Sequence, residues 1–362
     1  MRKICFFTHS MNNSGGVARV LANVANMFSD SGDEVSIIVM DSCGESFFRI
    51  NTNIKILTLN NGICNSIVGQ FIGAIKTVYE LRKRIKQMQP DVVFAFWTSR
   101  AIIAIIAGYK LGIPIVACEH TAYCRARKDA NIIRYIVYRQ AAAIVSLTNE
   151  DAVRYKKINP NTYVIPNEIN DLEIRKHNNS NEKVILSVGR WSREKGYDLL
   201  IEAWNIIANK YNGWKLKIVG DKEDLEFVEE VNAKIRNYKI GHTIEVKDAT
   251  LDIMDEYDKA DIFVLSSRWE GLPMVLLEAM SRGVASVSFD CPTGPRDIIT
   301  NEYNGFLVNA NNVKMLSEKI ELLIQNNELR KKIGVRANKE ICEKYNREII
   351  YAKWNEVLNQ VV

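Results

Sequence analysis

Short apolar runs rich in β-branched and aromatic residues alternate along this chain with longer amphipathic segments, and few folds accept such an alternation. Residues 260–265 read as a buried strand, 266–273 as a tight loop, and Met274 to Arg282 as a helix closed by Gly283. The beginning of the chain repeats the pattern. Residues 3–9 form a strand, and a helix from Val17 to about Asp30 carries Val20, Leu21, Val24, Ala25 and Phe28 on one stripe. Gly32 then precedes a strand at 34–41. Further strands are expected at 91–96, 113–118, 142–147, 183–189, 214–220, 243–246, 285–290 and 304–308, with helices between them and a helical tail from Val313. Strand, helix, strand in repetition predicts parallel sheets wrapped by helices, an α/β architecture.

The 362 residues suit two domains. Their composition breaks once, at the polar stretch 170–182, which reads as a linker between a first domain at 1–169 and a second at 183–346. No apolar run reaches the roughly 18 residues that a spanning helix needs; the richest, 101–108, reads as a buried helix. Basic residues precede apolar ones at the N-terminus as in a signal peptide. The apolar part stops at Thr8 and His9 with no small-residue cleavage site, so it is expected to be the first strand. Seven cysteines, an odd number without a Cys-x-x-Cys pair, argue against a disulfide framework or a zinc site and fit a reducing cytoplasm. Cys5, Cys118 and Cys342 are expected to be small core residues.

Chemistry concentrates in four places. Glu270 sits in the loop before the 274–282 helix and Glu278 on its second turn, eight positions on, with Gly271, Leu272 and Pro273 between them. The N-terminus of that helix offers unpaired N–H groups and a positive dipole end, a seat for phosphate. After the strand at 183–189, Arg190 and Lys195 flank a short loop and can converge on one anion. Gly15 and Gly16 occupy the loop after the first strand, where α/β sheets place ligands, although a Gly pair also serves chain geometry alone. His120 ends the strand at 113–118, as either a packed residue or a site residue.

The Glu270, seven residues, Glu278 spacing around Gly271-Leu272-Pro273 resembles the signature of glycosyltransferase family 4, retaining sugar transferases of the GT-B fold. The strand-Gly-Arg pattern ending in Lys195 and Gly196 is similar to that family's diphosphate site. The resemblance implies two Rossmann-like parallel-sheet domains facing a cleft, with the last helix, 347–362, packing back on the first domain. It places Glu270 against the donor sugar, Glu278 on the ribose, Arg190 and Lys195 on the phosphates and His120 near sugar and phosphates. Gly16 and Gly271 would allow close backbone approach. The implied reaction moves a hexose or N-acetylhexosamine from a nucleotide sugar, with UDP-sugar the expected donor, to a hydroxyl with retention. No cofactor is implied, and the cations are expected to stabilise the departing diphosphate without a metal. Residues 221–224 are acidic but lack the Asp-x-Asp spacing of metal-dependent transferases. The run from Cys291 to Arg296 is similar to a branch that builds bacterial surface polysaccharides. A GT-B epimerase and a non-catalytic sugar-nucleotide binding subunit are the alternatives.

Charge bears on partners. Residues 1–176 carry 22 Lys and Arg against 14 Asp and Glu, and the remainder 26 against 29. The basic excess therefore belongs to the first half, without any nucleic-acid motif. Two stretches stand out: Tyr79 with Arg82, Lys83, Arg84 and Lys86, and 121–139 with Tyr123, Arg125, Arg127, Lys128, Arg134, Tyr135, Tyr138 and Arg139. Either is an ordinary solvated helix face or rests on anionic lipid at the inner face of the plasma membrane, and the second also suits the diphosphate of a lipid-linked acceptor.

Overall fold

The computed structural model describes residues 1–12, 16–41, 46–59, 67–125, 128–169, 183–250 and 252–362, with the backbone alone at 67–71, 128 and 129. Gly15, Arg127 and the linker expected at 170–182 lie outside the described residues. The chain forms two compact units, Met1–Asn167 with Ile350–Val362, and Glu168–Ile349.

The first unit holds strands β1 (Lys3–Thr8), β2 (Glu34–Val39), β3 (Lys55–Thr58), β4 (Val92–Phe96), β5 (Ile115–Glu119), β6 (Ala143–Ser146) and β7 (Thr162–Val164). They form one parallel sheet in the order β3-β2-β1-β4-β5-β6-β7. Helices α1 (Gly16–Asp30), α2 (Ile67–Met88), α3 (Thr98–Gly108), α4 (Lys128–Val137) and α5 (Asn149–Lys156) cross between strands. Helices cover both faces, so a strand such as β4 is buried throughout and reads as a continuous apolar run. Alternate side chains still part to opposite faces. Phe6 and Phe94 join Phe28 in one core, while Cys5, Phe7 and Val93 join Tyr138 in the other. Thr148 caps α5, its hydroxyl accepting the Asp151 N–H at 3.3 Å.

The second unit repeats the plan with β8 (Lys183–Val188), β9 (Trp214–Val219), β10 (Ile244–Lys247), β11 (Ile262–Leu265), β12 (Ala285–Asp290) and β13 (Phe306–Asn309). Its parallel sheet runs β10-β9-β8-β11-β12-β13. Its helices are α6 (Tyr197–Ile207), α7 (Leu225–Tyr238), α8 (Ile253–Lys259), α9 (Met274–Ser281), α10 (Pro295–Ile298), α11 (Val313–Gln325) and α12 (Asn327–Lys344).

The last helix, α13 (Arg347–Val361), returns to the first unit from Ile350 onward. Trp354 meets Phe94 edge-on at 5.5 Å and lies over Phe96 at 6.3 Å. Arg2 donates to Asn355 at 2.9 Å and Asn359 at 3.1 Å, tying the chain's beginning to its end.

In each sheet one pair of neighbouring strands carries connections that leave in opposite directions, β1 and β4 in the first and β8 and β11 in the second. The carboxyl ends of such pairs diverge and leave a crevice, the usual ligand position in open α/β sheets.

A candidate nucleotide-sugar site

At the switch point of the second unit, a 3-10 turn (Arg193–Lys195) after β8 faces the loop after β11. Lys195 Nζ donates to Glu270 Oε1 at 2.8 Å, and both side chains are largely buried, with 18% and 10% of their surfaces exposed. The same carboxylate oxygen accepts from Ser267 Oγ at 2.5 Å. Backbone packing fixes this geometry. Gly196 has φ +65°, and a Cβ there would lie 2.1 Å from the Ser266 carbonyl oxygen, so only glycine lets the two loops approach this closely. Ser266 Oγ donates to the Lys195 carbonyl at 2.8 Å. Arg268 clasps Asp198 of α6 with two bonds of 2.8 and 2.6 Å, holding the loop from its other side.

The far edge of the Glu270 loop rests on the 291–296 segment. Thr293 Oγ1 donates to the Glu270 carbonyl. Gly294, at φ +90°, would place a Cβ 2.4 Å from the Gly271 oxygen. Leu272 is buried, and Pro273 occupies the cap position before α9. Glu278, one turn into α9, is buried and accepts from the Tyr257 hydroxyl at 3.0 Å. The stretch from Ser266 to Glu278 thus presents two acids and a helix N-terminus from one rigid frame.

Arg190 is not drawn into this cluster. Its guanidinium is 56% exposed and pairs with Glu223 at 2.9 Å, with Glu194 at 3.9 Å. Exposed pairs of this kind contribute about 0–1 kcal/mol, so little opposes a swing toward an arriving anion.

In the first unit, Gly16 opens α1 as an exposed residue, and a Cβ there would touch nothing within 4 Å, so the protein alone does not require glycine at this place. His120 directly follows β5. Its ring stacks on Phe96 at 4.8 Å and 11°, its Nε2 is buried without a partner, and burial lowers its pKa to about 3. The imidazole is therefore neutral near pH 7 and acts as a hydrogen-bonding group, not a cation. Neighbouring Glu119 is taken up internally, accepting from Thr98 Oγ1 at 2.7 Å and from the Tyr138 hydroxyl.

That network corrects part of the basic-surface expectation for 121–139. Arg134 and Tyr138 are buried, not displayed. The Arg134 guanidinium lies 4.7 Å from the Tyr123 ring and donates to the Tyr155 hydroxyl at 2.6 Å, which satisfies the cation inside the unit. Similarly, Arg82 donates to the carbonyls of Ala107 and Tyr109, both at 2.7 Å, and closes the end of α3. What α4 does expose is apolar: Ile132, Ile133, Tyr135 and Ile136, with Ile72, Ile75 and Tyr79 on α2. Cys5 and Cys118 are core residues as expected, whereas Cys342 is only half-buried.

Two parallel-sheet units, each with its connections diverging at one strand pair, are the arrangement of the GT-B fold. Family models match consecutive parts of the chain, Glycosyltransferase Family 4 over 14–171 and Glycosyl transferases group 1 over 170–340. The chain belongs to glycosyltransferase family 4 and is a glycosyltransferase. It is 29% identical to an uncharacterized glycosyltransferase of Haemophilus influenzae, an alignment covering 99% of this chain and 100% of that one. It is 27% identical to a Campylobacter jejuni alpha-1,4-N-acetyl-D-galactosaminyltransferase, named for a saccharide acceptor on PP-undecaprenol, over 100% of this chain and 99% of the relative. Among solved structures, Anabaena HepE in complex with UDP superposes with a TM-score of 0.81 at 18% identity, covering 99% of each chain.

Proposed function

We propose that the protein is a retaining, metal-independent transferase that moves a hexose or N-acetylhexosamine from a UDP-sugar to a hydroxyl of a glycan or lipid-linked glycan during bacterial surface-polysaccharide synthesis. The observation that carries this reading is the largely buried Lys195–Glu270 pair at the switch point of the second sheet. In it Lys195 is the phosphate ligand, with Arg190 released from Glu223 to join it, and the two cations stabilise charge on the departing diphosphate. Glu270 orients the donor sugar, Glu278 takes the ribose hydroxyls, and Gly271, Leu272 and Pro273 bring backbone and the α9 N-terminus to the phosphates. Gly16 and neutral His120 serve the donor from the first unit. HepE, solved with UDP, and the Campylobacter relative, with its lipid-linked acceptor, support the choice of donor and acceptor class.

The exposed isoleucines of α2 and α4, beside Lys76, Lys83 and Arg139, suit peripheral contact with an anionic membrane at its cytoplasmic face. Among the described residues no helix is long and apolar enough to cross a membrane. No observation favours an epimerase or a non-catalytic subunit.

The test is incubation with a panel of UDP- and GDP-sugars and lipid-linked saccharides, followed by mass spectrometry and by NMR of the new anomeric bond. A product from a UDP-sugar with the donor's anomeric configuration is expected, and it should form in EDTA. Inversion, or an absolute need for a divalent ion, would overturn the mechanism.

A further inference from the structure

A cavity of about 280 Å³ opens at the switch point of the first sheet. Thr8, His9 and Ser10 line it from the end of β1, Gly16 from α1, and Trp97 and Arg100 from the start of α3. Small-ligand clefts usually fall in the range of roughly 300–1,000 Å³, so this one has room for about one sugar ring and not for a nucleotide sugar.

Its chemistry is uncommon. Trp97 is 44% exposed and has φ 78°, a region that costs a bulky residue on the order of 1–3 kcal/mol. The strain is held in place by backbone bonds, the Trp97 N–H to the Cys118 carbonyl at 2.9 Å and its own carbonyl to the Ala101 N–H at 2.8 Å. An indole is thus kept at the rim instead of collapsing into the core. Arg100 donates to Ser99 Oγ at 2.6 Å, yet its Nε is buried with no partner, and among the described residues no carboxylate pairs with it. Burial pulls its pKa down. His9 Nδ1 is also buried and unpartnered, and burial together with Arg100 lowers the pKa of this histidine against the pull of Asp41. Arg100 is therefore the cavity's cation. A desolvated cation without a counter-charge is costly, and an anionic ligand would offset that cost.

We infer that this cavity is the subsite for the acceptor's saccharide unit and that this unit, or the linkage next to it, carries a negative charge. Trp97 stacks against the sugar's C–H face, whose partial positive charge matches the negative face of the indole. Arg100 pairs with a phosphate or carboxylate oxygen, where its planar fork gives two bonds. The inference rests on the transferase reading with the nucleotide held by the second unit; Gly16, at the edge of the cavity, is the lining residue that it shares with the donor.

The experiment is a ligand-detected NMR titration of the full chain, with UDP present, using N-acetylglucosamine 1-phosphate, glucuronic acid and N-acetylglucosamine. At least one charged sugar should bind about tenfold more tightly than the neutral one, and which one does so locates the charge on the linkage or on the ring. Arg100→Gln should abolish that preference, and Trp97→Ala should weaken all three sugars alike, with UDP affinity within about twofold of wild type in both. If Arg100→Gln does not fold, Arg100→Lys should retain a reduced preference. Equal binding of all three sugars, a preference that survives in Arg100→Gln, or displacement of the sugar phosphate by UDP would overturn the inference. Loss of UDP binding with the sugar preference intact would instead count against the donor site.

Discussion

Lys195 and Glu270 satisfy each other in the free protein, so a donor phosphate bound as proposed would share Lys195 with that carboxylate. Lys195→Ala and Glu270→Ala should each lower turnover at least about tenfold, roughly 1.4 kcal/mol of transition-state stabilisation, in a donor-saturated transfer assay. Unchanged rates in both would remove the pair from the site. His120 makes a second prediction through pH. Its folded pKa of about 3 lies below its unfolded value of 6.5, so the stability it contributes is complete above pH 6.5 and is lost as the pH falls toward 3. Between pH 6.5 and 5, wild type should lose about 2 kcal/mol more than His120→Asn in urea unfolding. At this scale the sequence was informative about the acids and cations, whose spacing sets them apart. It was silent about Thr293 and Tyr257, whose contacts with Glu270 and Glu278 arise only when distant segments meet. Trp97 and Arg100 likewise read as ordinary loop and helix residues until β1 and β4 lie side by side.

Elements place these residues through glycine-dependent contacts between loops. Gly196→Ala combines a positive φ with a Cβ 2.1 Å from a backbone oxygen that no side-chain rotation relieves. It should cost about 3 kcal/mol or more of unfolding free energy and weaken UDP binding, measured by denaturation and by calorimetry. A variant as stable and as tight-binding as wild type would show that the loops do not depend on this contact. Most elements were legible because buried parallel strands announce themselves as apolar runs. β3 was not, since Lys55–Thr58 is a short, largely exposed edge without such a run, and the four-residue α10 is too brief to show a helical period. The basic stretches misled at Arg134 and Arg82, because sequence gives the charge of a helix residue and not the face it turns inward.

At the scale of the whole molecule, each unit has its own core, and Trp354 belongs to that of the first. Trp354→Ala should cost about 3–5 kcal/mol. Scanning calorimetry should show the transition of the first unit lowered and that of the second unchanged, with UDP still raising the latter. A uniform fall in both would mean that the two cores do not melt independently. Because Trp354 also lies over Phe96, which lines the cavity beside Trp97, the same variant should weaken sugar binding without touching the Lys195–Glu270 pair.

The closing contacts of α13 also set an order of events at the ribosome. Glu168–Ile349 is one uninterrupted stretch, but the unit begun by Met1 lacks Ile350, Trp354, Val357 and Leu358 until the residues of α13 emerge. The half translated first is completed last, and in the interval the nascent chain carries an uncovered aromatic surface around Phe94, the natural place for a chaperone to hold it.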